Sequence, residues 1–274
     1  MYILNTFKQI NYHEENQMSK QNNGISSTNN CKFSAPREEG VKPTCVVLTY
    51  SVSQTLNQAT TALQDRGASV HYIIDKDGEQ YQYHNDLESK AFFAGNSSWK
   101  GQKKVNDFGI SIMFINNSET DFTPSQIRKV KECLADIKER YPDLNIKDDL
   151  VGLGEVAERH VAPGKLFPWK DLAEAGFGKF IDTTKEQQEN ILIRKDDQGA
   201  RVSEVQLQLK NHGYNISVDR QCGNKTVKWF EKFNARYVPE QELSNVWSVA
   251  DQYVLDNLHP DVNLAGDSAD AVSI

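Results

Sequence analysis

Two short runs, "TCVVLTYSV" (residues 44–52) and "FGISIMFIN" (108–116), most constrain the fold. Each is apolar and β-branched over about six residues, which suits a strand buried on both faces and is too short for a buried helix. Such strands need helices above and below the sheet. "SQTLNQATTALQDRG" supplies one, with Leu56, Ala59 and Leu63 at helical spacing and Gly67 as its stop. "FTPSQIRKVKECLADIKERYP" supplies another, with Thr123 as N-cap, Pro124 in the first turn, and Ile127, Val130, Leu134 and Ile137 on one face. "SVHYIIDKDGEQYQYH" reads as a hairpin turning at Asp77-Gly78, and "DLVGL" as a short strand. The expected class is α/β, a mixed central sheet flanked by helices, over residues 43–181.

The flanking segments differ in character. Residues 1–42 are rich in Asn, Gln, Ser and Lys, and are expected to form a flexible arm. Either Met1 or Met18 suits a start. The polar "DTTKEQQEN" marks a linker over 182–192. Three amphipathic helical patterns then predict a small helical module over 193–260, with Val205, Leu207, Leu209, Trp229, Phe230 and Phe233 as its core. Residues 261–274 read as a flexible tail.

Composition excludes several functions. A net charge of −7 in 274 residues argues against a nucleic-acid partner, because phosphate contact needs clustered cations. No apolar run approaches the roughly 20 residues of a membrane span. The N-terminus lacks the apolar core of a secretory signal, so the expectation is a cytoplasmic protein or one exported without a signal. Cys31, Cys45, Cys133 and Cys222 lack CxxC spacing, and Cys45 and Cys133 are expected as buried free thiols.

Four segments in order resemble the type 2 N-acetylmuramoyl-L-alanine amidases, kin of the peptidoglycan-recognition proteins. They are "SVHYIIDKDGEQYQ", "AFFAGNSSWKG", "KLFPW" and the module's "GYNISVDRQCGNKTVKWFEKFNARY". The likeness is strongest to AmiD-type members that carry a C-terminal peptidoglycan-binding module. It implies the corresponding fold and a zinc held by two His and an Asp or Cys. The metal would activate a water, and a nearby Glu would take that water's proton.

Position by position, the resemblance places Thr49 and Leu153 where the family has its two His ligands. It places Ala162 at the third ligand, Met113 at the Glu, His160 at a cationic position and Phe93 at a further His. Leu and Ala offer no lone pair and Met carries no proton, so neither metal nor catalytic group is expected here and the chain leans away from being an enzyme. The resulting expectation is a catalytically inactive member with no cofactor. Its former cleft and helical module would bind peptidoglycan fragments, muropeptides or a protein partner; an active amidase and a protein-directed scaffold are the alternatives.

His71, Phe93, Trp99 and His160 are the candidate ligand-contacting residues. The resemblance places His71 on a strand beside the cleft and not on the zinc, where it also suits a structural role. Trp99, Phe93 and Tyr83 are open to two readings, groove wall or core. His160 with Glu155 and Glu158 reads either as a solvated polar loop or as a new metal or acid–base site.

Overall fold

The computed structural model describes residues 33–258. In chain order, β1 (Ser34–Pro36) and β2 (Cys45–Tyr50) precede helix α1 (Leu56–Asp65). Short strands β3 (Tyr72–Ile74), β4 (Gln80–Gln82), β5 (Ser89–Ala91), β6 (Ser98–Trp99) and β7 (Gln102–Lys103) follow, then β8 (Gly109–Phe114). Helix α2 (Pro124–Arg140), strand β9 (Leu150–Gly152) and helices α3 (Leu153–Val156) and α4 (Trp169–Glu174) complete the first half. The second half contains α5 (Lys185–Glu189), β10 (Ile191–Ile193), α6 (Ala200–His212), α7 (Asn224–Tyr237), β11 (Trp247–Ser248) and α8 (Val249–Leu258).

The central sheet runs β4-β3-β8-β2-β9. β8 pairs in parallel with β2 and β3, and β9 in parallel with β2, while β4 is the antiparallel edge. Every residue of β8 is buried, as its unbroken apolar pattern predicts. On one face Val46, Leu48, Ile110 and Ile112 pack against Ile127, Val130, Leu134 and Ile137 of α2 and Leu172 of α4. On the other, Val47, Met113 and Ile115 pack against Ala59 and Leu63 of α1 and the 91–108 segment. Helix α2 starts where expected, with Thr123 and Gln126 closing a reciprocal capping box. The mixed α/β class is as anticipated.

Two boundaries differ from the sequence reading. Residues 34–37 of the expected arm are structured: β1 pairs antiparallel with β5, and Arg37 is buried. Arg37 donates to the carbonyls of Asp86 (2.8 Å), Asp107 (2.6 Å) and Gly109 (2.8 Å). A guanidinium fork satisfies three converging acceptors at once, which the polar composition of the segment conceals. The expected linker contains α5, closed by a Thr184–Gln187 capping box, and the Asn190 carbonyl accepts from Val249 N at 2.8 Å.

In the helical part, Val205, Leu209, Trp229, Phe230 and Phe233 are buried together, but Leu207 is 49% exposed. Two residues from Val205 and from Leu209, it stands about 200° around the helix on the opposite face. Cys45, Cys133 and Cys222 are buried and free. Residues 1–32, with Met1, Met18 and Cys31, and the expected tail at 261–274 lie outside the described residues. Among the described residues, no helix is long and apolar enough to cross a membrane.

Candidate functional site

The parallel register of β2 and β8 sets Thr49 and Met113 as direct partners near the strands' C-terminal ends. β9 lies on the other side of β2 with Gly152 opposite Leu48, so the next residue, Leu153, enters the same end of the sheet. The Gly154 N–H then donates to the Ala162 carbonyl at 2.8 Å, drawing the 160–163 loop onto α3. Glycine is required at 152, because a Cβ there would stand 2.7 Å from Pro163 Cδ. Thr49, Met113, Leu153, Ala162, His160 and Phe93 therefore line one cleft of about 680 Å³. The Asn106 carboxamide oxygen fixes the Phe93 turn by accepting from the N–H groups of Phe93 (3.2 Å) and Ala94 (2.9 Å).

The chemistry of this cleft is apolar at its floor and cationic at its rim. Thr49, Met113, Leu153, Ala162 and Phe93 are all less than a tenth exposed. Arg66, Arg159 and His160 also line the cleft, whereas no Asp or Glu does. Arg159 Nε donates to His160 Nε2 at 3.1 Å. Burial, then the neighbouring Arg159 and Lys232, lowers the His160 pKa and favours the neutral ring.

The zinc implied by the family resemblance does not fit these residues. Leu153 and Ala162 have no donor atom, the Thr49 hydroxyl is neutral, and a Met113 thioether is a soft ligand unsuited to the hydrolytic zinc set. Among the described residues, no three or more His, Cys, Asp or Glu side chains are grouped to hold a metal.

Of the candidate contact residues, Phe93 and His160 reach the cleft; His71 and Trp99 do not line it. His71 is fully buried behind Phe93, edge-on at 6.4 Å between ring centroids. Ser111 N donates to its Nδ1 at 3.0 Å, so Nε2 carries the proton and donates to the Ser89 carbonyl at 3.1 Å. Trp99 turns away, donating from Nε1 to Asp149 at 2.9 Å and packing edge-on against His212 and Tyr214 of the helical part. Its role is to hold two parts of the chain together.

Glu155 also departs from the solvated-loop reading. It is 3% exposed, accepting from Gly152 N at 2.6 Å and the Tyr214 hydroxyl at 3.2 Å, with Arg236 Nε 3.8 Å away. Burial raises its pKa against the opposing pull of Arg236 and these hydrogen bonds. Arg66 and Arg159 were missed at the sequence level, since isolated arginines in polar stretches carry no periodic or spacing signal.

Known proteins are similar to this chain in sequence and in fold. The family described as N-acetylmuramoyl-L-alanine amidase matches residues 39–165. A candidate N-acetylmuramoyl-L-alanine amidase of Rickettsia conorii, RC0497, is 51% identical over 248 residues, covering 87% of this chain and 93% of that protein. The Escherichia coli amidase AmiD, solved with the substrate anhydro-N-acetylmuramic acid-L-Ala-D-gamma-Glu-L-Lys, superposes with a TM-score of 0.67 at 21% identity, covering 82% of this chain and 92% of that one. Pseudomonas aeruginosa AmpDh3, in complex with anhydromuramic pentapeptide, gives 0.66 at 21% identity, covering 88% and 97%. These two likenesses concern the fold, whereas the Rickettsia conorii relative is similar over nearly its whole length. From the match of sequence and architecture together, this chain belongs to the N-acetylmuramoyl-L-alanine amidase family.

Proposed function

We propose that this protein is a non-hydrolytic member of its family that binds peptidoglycan fragments in the cleft between Phe93, Leu153 and the 159–162 loop. The observation that carries this reading is the lining itself. Thr49, Leu153 and Ala162, which the family resemblance aligns with its zinc ligands, stand in this lining, and two arginines stand at the rim with no carboxylate beside them in the lining. A muropeptide brings carboxylates, which Arg66 and Arg159 would meet, and methyl groups, which Met113, Leu153 and Phe93 would cover. The lining holds no carboxylate base, and the lone pair on His160 Nε2 is already engaged by Arg159, so the bound amide meets no free group able to ready a nucleophile.

The test combines metal analysis, hydrolysis and binding on the full chain. The purified protein is expected to hold no stoichiometric zinc and to release no stem peptide from a muropeptide. It should bind that muropeptide in a calorimeter, with Arg66→Gln weakening binding by about 1–2 kcal/mol, the worth of a charge-assisted hydrogen bond. Zinc near one per chain with turnover would overturn the reading, as would a muropeptide that does not bind.

A further inference from the structure

A second pocket, of about 540 Å³, lies between the 158–165 loop and helix α7 with the segment that follows it. That volume falls within the roughly 300–1,000 Å³ typical of small-molecule sites. Its exposed rim is balanced, with Arg159, Lys165 and Lys228 set against Glu158, Glu231 and Glu242. Its buried wall is not. Arg236 (3% exposed) and Lys232 (7%) stand there against a single buried carboxylate, Glu155 (3%).

The arginine is also short of partners. Its guanidinium carbon lies 3.7 Å from the centre of the Trp169 ring, and Nε is 3.8 Å from Glu155, beyond hydrogen-bond reach. Neither Nε nor Nη1 has a hydrogen-bond partner. Leaving ionised donors buried and unpaired is costly, so a counter-charge close to this wall is favoured. Lys232 donates to the His160 carbonyl, which carries no full charge to neutralise it. Burial holds the Lys232 ammonium down at about 8. The buried wall thus carries one more positive than negative group.

We infer that this pocket is a second ligand site, adjoining the cleft across Arg159 and Ala162, which takes a small organic molecule through a single carboxylate directed at Arg236 and Lys232. The molecule's apolar body would rest on Trp169, Pro163 and Val238, which line the same pocket. One carboxylate at this wall neutralises the excess charge at close range. The inference does not depend on the cleft binding anything.

N-acetyl-alanyl-alanine, with one carboxylate and no cation, is the probe, and its C-terminal amide is the neutral control. Calorimetry on the full chain should show the acid binding and the amide binding at least about tenfold more weakly. Arg236→Gln and Lys232→Gln should each weaken the acid at least about tenfold, while Arg66→Gln, which alters only the cleft, should leave it unchanged. Lys232→Gln keeps a donor for the His160 carbonyl, so it carries the test if Arg236→Gln does not fold. Equal binding of acid and amide, or binding of neither at millimolar concentration, would overturn the site. So would an acid weakened by Arg66→Gln but indifferent to Lys232→Gln, which would place the ligand in the cleft.

Discussion

The His71 imidazole is held neutral, with its pKa depressed to about 4, chiefly by burial and with Arg37 adding like-charge repulsion. An unfolded chain takes up a proton near pH 6.5, whereas the folded one resists until about 4, so the unfolded state binds more protons in that window. Stability from this group is therefore complete above pH 6.5 and lost as pH falls towards 4. Comparing denaturant midpoints of wild type and His71→Asn from pH 7 to 4, the wild type should lose about 3 kcal/mol more than the variant. Parallel pH curves would refute the neutral buried ring. The residue identities at the cleft were legible from sequence because donor chemistry belongs to the side chain alone. The orientation of His71 was not, since Ser111 and Ser89 lie 40 and 18 residues away.

At the scale of elements, the end of α6 shows how one glycine sets a junction. Gly213 has φ of +140°, and a Cβ there would stand 2.9 Å from the Trp99 ring. Its carbonyl accepts from Lys100 N at 3.1 Å. Gly213→Ala should therefore lower stability by about 2–3 kcal/mol, from backbone strain and overpacking together. Trp99→Leu in the same chain should recover part of the packing loss in a double-mutant cycle. A fully additive double mutant would show that the contact is not the cause. The hairpin, α1 and α2 followed from turn residues, caps and periodicity, which act within a few residues. β1 did not, because it is completed by the distant backbone of β5; α5 carries a local Thr184–Gln187 capping box but has no buried residue, so no apolar periodicity marks it.

Across the whole molecule, the α/β part and the helical part share a polar and aromatic seam built on Glu155, Arg236, Tyr214 and Trp99. Removing the carboxylate leaves the Arg236 guanidinium buried without its counter-charge, a change typically worth about 3–5 kcal/mol. Glu155→Ala should loosen the seam and speed hydrogen exchange in α6–α8 more than in β2 and β8. Equal acceleration in both would argue that Glu155 serves only its own loop.

The sequence by itself determined the strands of the central sheet, the long helices, most of the module's core and the donor-poor chemistry of the cleft, because these rest on periodicity and side-chain type. The tertiary structure alone decided that Phe93 faces the cleft while Trp99 faces the module, that Arg37 is interior, and that Arg236 and Lys232 share a buried wall with one carboxylate. Those outcomes depend on groups brought together from tens of residues apart, where packing and charge compensation choose partners that no local pattern encodes.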